Sequence, residues 1–158
     1  MLTRIAKDFR WEMAHRLPFH EAGCRNVHGH SYRMTIELLG EPQQTGMVLD
    51  YLDLKKIVDP LVEEIDHAFL CDESDTLMRD FLLSSKLKVV FVRFPTTAEN
   101  IARWFFERLS EIFMQMKNLT ELRVRVEETE RTSAEVFGSL RIAVPDPSFM
   151  AHQSHMLE

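Results

Sequence analysis

The sequence predicts an α+β fold, an antiparallel sheet with helices packed on one face. Three observations carry this reading. Two long alternating segments open the chain, two more close it, and two stretches with the apolar spacing of amphipathic helices lie between them. At 158 residues the chain suits one domain with a sizeable core. We read residues 1–145 as that domain and 146–158, which follow no periodic pattern, as a C-terminal tail.

Residues 3–15 place Ile5, Lys7, Phe9, Trp11 and Met13 on one parity and read as a long strand. Residues 29–39 set Tyr32, Met34, Ile36 and Leu38 opposite Ser31, Arg33, Thr35 and Glu37, a second strand. The segment 16–28 between them is too long for a tight hairpin turn, and connections of that length often carry function. Glu41–Gly46 is a turn by composition. Residues 53–66 have helical apolar spacing, with Pro60 expected to kink or interrupt the helix. Residues 88–94 form a short β-rich run. Thr96 with Glu99 matches a capping box for the next helix, whose stripe includes Ile101, Trp104, Phe105 and Leu109. Residues 121–128 and 134–143 alternate again as the closing strand pair.

Bulk properties narrow the function. The net charge of −6 includes no block of like charges, which argues against nucleic acid or an anionic membrane as partner. No apolar run is long enough to span a bilayer, and the N-terminus lacks the apolar core of a secretory signal. Cys24 and Cys71 then read as reduced thiols, and the expected location is cytoplasmic.

The most informative residues are His15 and the segment Cys24-x-x-x-His28-Gly29-His30. Side chains at i and i+2 of a strand share a face, so His28 and His30 can grip one ion together. His15 from a neighbouring strand completes three nitrogens and leaves one coordination position open, the ligand count of a catalytic zinc. Gly29 between them permits a close backbone approach beside the ion. Cys24 has three readings: a small core residue, a fourth ligand that closes the site, or a reactive thiol. Its polar setting beside Gly23, Arg25 and Asn26 weakens the first, and a nearby cation favours the thiolate. Asp66-His67 ends the first helix, either as a solvated pair or as a carboxylate that fixes an imidazole tautomer for proton transfer. Glu127 and Glu128 face opposite ways on their strand, and a carboxylate can grip a guanidine-like ring edge with two parallel hydrogen bonds.

Six segments in register resemble the 6-pyruvoyl-tetrahydropterin synthase superfamily, over about residues 5–140. They are Ala14-His15-Arg16-Leu17, Cys24-x-x-x-His28-Gly29-His30-Ser31-Tyr32, Val48-Leu49-Asp50-Tyr51, Asp66-His67, Pro95–Asn100, and Glu128-Thr129 with Ala134. The resemblance implies the T-fold (tunnelling fold): a four-stranded antiparallel sheet with two helices on one face. It also implies a homo-oligomer, commonly a hexamer made of two trimers, with active sites between subunits.

By that match the zinc ligands are His15, His28 and His30. The catalytic residues are Cys24, Asp66 and His67, Glu128 anchors the pterin ring, and Thr97 lies near its edge. In the family mechanism zinc polarises the substrate's side-chain hydroxyls while the thiolate and the Asp-His pair move protons. The three-residue gap between Cys24 and His28, with Val27 rather than an acid before His28, resembles the 6-carboxy-tetrahydropterin synthases of queuosine (7-deazaguanine) biosynthesis. The implied reaction is that of a zinc-dependent carbon–carbon lyase. It takes 7,8-dihydroneopterin triphosphate to 6-carboxy-5,6,7,8-tetrahydropterin, acetaldehyde and triphosphate.

Two alternatives stand beside it: a 6-pyruvoyl-tetrahydropterin synthase, which eliminates triphosphate, and a non-catalytic zinc-stabilised binding module with Cys24 as fourth ligand. Residues from Cys71 to about 86 depart from the family pattern as an apparent insertion. Arg10, Arg16, Arg25 and His20 are candidate triphosphate partners.

Overall fold

In the computed structural model, which describes residues 1–141, strands β1 (Thr3–His15) and β2 (His28–Gly40) pair antiparallel along their whole length. The pairing runs from Thr3 opposite Gly40 to His15 opposite His28. Strands β5 (Leu119–Thr129) and β6 (Thr132–Ser139) extend the sheet antiparallel beyond β2. The expected end of the domain at 145, the last two residues of the expected strand 134–143, and the tail 146–158 lie outside the described residues.

The four antiparallel strands are the expected T-fold sheet, but the sheet has six strands in the order β4-β3-β1-β2-β5-β6. Strands β3 (Ala68–Asp72) and β4 (Val89–Val92) add to the free edge of β1 in parallel. Parallel neighbours need a crossover, and helix α2 (Thr76–Ser84), inside the insertion, supplies it. β3 was missed because it carries no alternation: residues 68–71 are all buried, as expected of a strand covered on both faces.

Helices α1 (Tyr51–Ile65) and α3 (Ala98–Phe113) share one core with the inward parity of the sheet. Phe9, Trp11 and Met13 of β1, Tyr32, Met34 and Ile36 of β2, and Val124 and Val126 of β5 meet Leu54, Val58, Trp104, Phe105 and Leu109 there. Two helices on one face is therefore right for α1 and α3. α2 is a third helix and packs with the opposite parity, placing Leu82 against Phe69 and Cys71, with Ala14 at the edge of that cluster.

Two local expectations shift. α1 runs unbroken through Pro60, because the ring and the freed carbonyl of Lys56, four residues earlier, lie on the exposed side of the helix. The cap of α3 is Thr97, whose hydroxyl accepts the Asn100 N–H at 3.4 Å, one residue later than the capping box suggested. Thr96 is freed by this shift and is buried beside the site. None of the helices among the described residues is long and apolar enough to cross a membrane.

Candidate active site

The β1–β2 register builds the centre of the site. His15 stands directly opposite His28 and Met13 opposite His30, so the three imidazoles cluster on the core-facing side at one end of the sheet. Ring centroids are 4.6 Å apart for His15–His28, 5.3 Å for His15–His30 and 5.0 Å for His28–His30. One nitrogen from each ring lies within 4.8 Å of the other two.

Backbone carbonyls fix two of the tautomers. The Nδ1 of His15 lies 2.7 Å from the Thr96 carbonyl oxygen and that of His28 lies 2.8 Å from the Asn26 carbonyl oxygen. A carbonyl only accepts, so each Nδ1 carries the proton and each Nε2 presents a lone pair. The Nε2 of His28 is buried with no hydrogen-bond partner, a cost the fold would not carry without something to occupy it. Burial pushes the imidazole of His15 down from 6.5 to about 4, aided by the neighbouring His28 and His30 and opposed by Thr96. Burial also lowers His30, against the pull of Glu128. Both are therefore neutral near pH 7, the form a metal requires. Three imidazole nitrogens, two of them on rings whose outer protons are locked, fit a divalent transition metal such as zinc.

Gly29 lies between the two β2 histidines on the opposite parity. A Cβ there would sit 3.2 Å from the Met13 carbonyl oxygen, so the close approach that glycine permits is to β1. Cys24 occupies a single 3₁₀ turn, Gly23–Arg25, tied to the start of the loop by the Leu17 N–H donating to the Cys24 carbonyl at 2.8 Å. Its thiol is free and partly buried, and it does not join the three histidines as a fourth clustered donor.

Asp66 and His67 form a second unit. The His67 Nδ1 is 2.9 Å from Asp66 Oδ1, which also accepts the Glu12 N–H at 2.9 Å. That backbone N–H is the main reason the Asp66 carboxyl lies below its usual range, with His67 contributing. His67 directly follows the α1 C-cap and has φ of 54°, left-handed backbone where glycine is the usual occupant. Strain of this kind at a bulky side chain points to function. The imidazole is 74% exposed, yet it lines the same 490 Å³ cavity as His30, Ser31 and Lys88.

Glu128 lies on the inward parity of β5, and Glu127 on the outward parity pairs with Arg125 at 3.1 Å. Glu128 Oε1 accepts the Tyr32 hydroxyl at 3.3 Å and lies 3.8 Å from His15 Nε2. It lines a 590 Å³ cavity with His30, Arg10 and Arg33. Thr97 lines neither cavity; its hydroxyl is committed to capping α3.

Among the candidate phosphate partners, Arg16 is committed elsewhere: its guanidinium clamps buried Asp75 at 2.5 and 2.8 Å. His20 Nδ1 accepts the Ala22 N–H, while Arg10 faces the Glu128 cavity.

Four participants are not legible as such in the sequence. Tyr32 reads in the sequence as a strand residue and the last position of the family motif, with no role of its own, although its parity with His28 and His30 puts it on the face of the three histidines. The Thr96 and Asn26 carbonyls carry no side-chain signal. Asp75 caps α2 within the insertion, and Leu77, Met78, Phe81 and Leu82 after it have the helical spacing that could have revealed that helix.

Fold and site together define a T-fold enzyme with a three-histidine centre. The sequence profile of 6-pyruvoyl tetrahydropterin synthases matches residues 4–139, and the chain belongs to that family and is a lyase. A 6-carboxy-5,6,7,8-tetrahydropterin synthase of Haemophilus influenzae is 40% identical over 116 residues, covering 68% of this chain and 82% of the relative. One from Synechocystis is 36% identical over 113 residues, covering 68% and 74%. The crystal structure of 6-pyruvoyl tetrahydropterin synthase from Plasmodium vivax superimposes with a TM-score of 0.70 at 17% identity, covering 88% of this chain and 99% of that one, a likeness of fold.

Proposed function

We propose that this chain is a zinc-dependent 6-carboxy-tetrahydropterin synthase of queuosine biosynthesis, working as a cytoplasmic enzyme. The reaction consumes 7,8-dihydroneopterin triphosphate and water. One side-chain carbon stays on the ring as the carboxyl, two leave as acetaldehyde, and triphosphate departs. The observation that carries this reading is the set of three converging imidazoles beside the Tyr32–Glu128 contact, which joins a metal centre to a carboxylate suited to the pterin ring. The relatives named for this product support the choice over the pyruvoyl alternative, as does the short gap between Cys24 and His28.

His15, His28 and His30 would hold the zinc, which when bound supplies Lewis-acid chemistry to a substrate hydroxyl. Glu128 grips the amino-pyrimidine edge of the ring with two parallel hydrogen bonds. Cys24 exchanges a proton with the substrate side chain as thiolate and thiol. Asp66 fixes the Nδ1 proton of His67, so Nε2 is the atom that takes and returns a proton. The family resemblance implies a homohexamer, a dimer of trimers, and the 74% exposure of His67 leaves its imidazole open to a neighbouring subunit that completes the site.

Incubation of the zinc-loaded protein with 7,8-dihydroneopterin triphosphate tests this reading. Acetaldehyde and the 6-carboxy product are expected. A diketo product with triphosphate loss and no acetaldehyde assigns the chain to the pyruvoyl reaction instead.

A further inference from the structure

His15 Nε2, the Tyr32 hydroxyl and Glu128 Oε1 form a triangle with sides of 3.3, 3.3 and 3.8 Å. His15 spends its only ring proton on Thr96, so its Nε2 can only accept. A carboxylate oxygen likewise only accepts. Two acceptors therefore face each other with one proton between them, that of Tyr32. The tyrosine cannot turn away: it is 1% exposed and its ring stacks on Trp11 at 5.2 Å with an interplanar angle of 1°. Its hydroxyl has a single torsion, by which it addresses either His15 or Glu128.

We propose that Tyr32 is a positioning residue that couples metal occupancy of His15 to ligand binding at Glu128. This rests on the reading of Glu128 as the pterin anchor. A metal on His15 Nε2 uses the lone pair that the hydroxyl otherwise addresses, and Glu128 becomes the only acceptor left in the triangle. The hydroxyl then occupies one lone pair of Oε1 and fixes the carboxylate plane, leaving the second lone pair of Oε1 and those of Oε2 to accept the two parallel hydrogen bonds from the ring. Glu128 is 23% exposed and otherwise free to rotate, so fixing it in advance removes an ordering cost from pterin binding. The coupling is reciprocal, and bound pterin tightens the metal by the same factor.

The test uses unsubstituted pterin, which has no side-chain hydroxyls to reach the metal, titrated into metal-free and zinc-loaded protein. For the wild type, zinc should tighten pterin binding by at least ~5-fold, the lower end of ordinary coupling between sites. In Tyr32→Phe the ratio should fall to about one, with zinc content and melting transition retained. A wild-type ratio of one, or an unchanged ratio in Tyr32→Phe, overturns the coupling. So does a wild-type zinc affinity that saturating pterin leaves unchanged, a measurement that needs no variant. The pterin reading fails separately, if zinc-loaded protein binds no pterin or if Glu128→Gln binds it as tightly as the wild type. Glu128-dependent binding that ignores zinc removes only the coupling.

Discussion

The Nδ1–H of His15 donates to the Thr96 carbonyl oxygen at 2.7 Å, joining the end of β1 to the residue before the α3 cap. One bond thereby sets the tautomer of the most buried of the three imidazoles. It also depends on Thr97 capping the helix, because a cap at Thr96 would place a different residue at that contact. Asn26 does the same for His28, whose Nε2 is left without any partner in the protein.

Replacing His28 with Ala should therefore remove metal without removing the fold, since His28 is only partly buried. Metal analysis should show zinc falling from one per chain toward zero, and circular dichroism should retain the α+β signature. Full zinc content in His28→Ala would mean that the ligands lie elsewhere.

Cys24 separates an open catalytic site from a closed structural one. Cys24→Ala should keep zinc content and melting temperature, while turnover falls by ~10²–10⁴, the usual loss for a proton-transfer group. Loss of zinc in this variant would support the binding-module alternative.

His67 has opposite consequences for activity and stability. At φ of 54° an L-residue is strained, so His67→Gly should be more stable than His67→Ala by ~1 kcal/mol. Both variants should lose turnover by ~10²–10⁴. Equal stability in chemical denaturation would remove the strain argument, and turnover within a few fold of wild type would remove the proton-transfer role.

The Arg16–Asp75 clamp gives a pH dependence. Arg16 holds the Asp75 carboxyl below its unfolded value of 3.8, with the Met78 N–H adding to it. The folded state therefore binds this proton less readily than the unfolded state. Its contribution is fully present above pH 3.8 and is lost as pH falls through the folded value. Asp75→Asn should destabilise by roughly 3 kcal/mol near neutral pH, because it leaves a largely buried guanidinium unpaired. That gap between variant and wild type should close as pH drops below 3.8, as read from urea unfolding. A gap that persists into acid would contradict the assignment.

How much was legible in the sequence follows from where each signal comes from. Period-two alternation gave β1 and β2 almost to the residue, and with them the placement of His15, His28 and His30 on one face. β3 was hidden because a strand buried on both sides has no polar phase to read. The partners of His15 and His28 are backbone carbonyls, which every residue has, so only the folded chain reveals which ones are used. Asp66, His67 and Glu128 stand out in the sequence by chemistry, but the choice between a bland and a functional reading of each comes from the resemblance. Their geometry adds the left-handed backbone of His67 and the Tyr32 contact of Glu128, neither of which composition encodes.

X-ray absorption at the zinc edge of the loaded protein tests the central claim most directly. The account predicts three imidazole nitrogens and one oxygen ligand at ~2.0–2.1 Å with no sulfur shell. A sulfur at ~2.3 Å, which would make Cys24 a permanent ligand, or fewer than three imidazoles would contradict it.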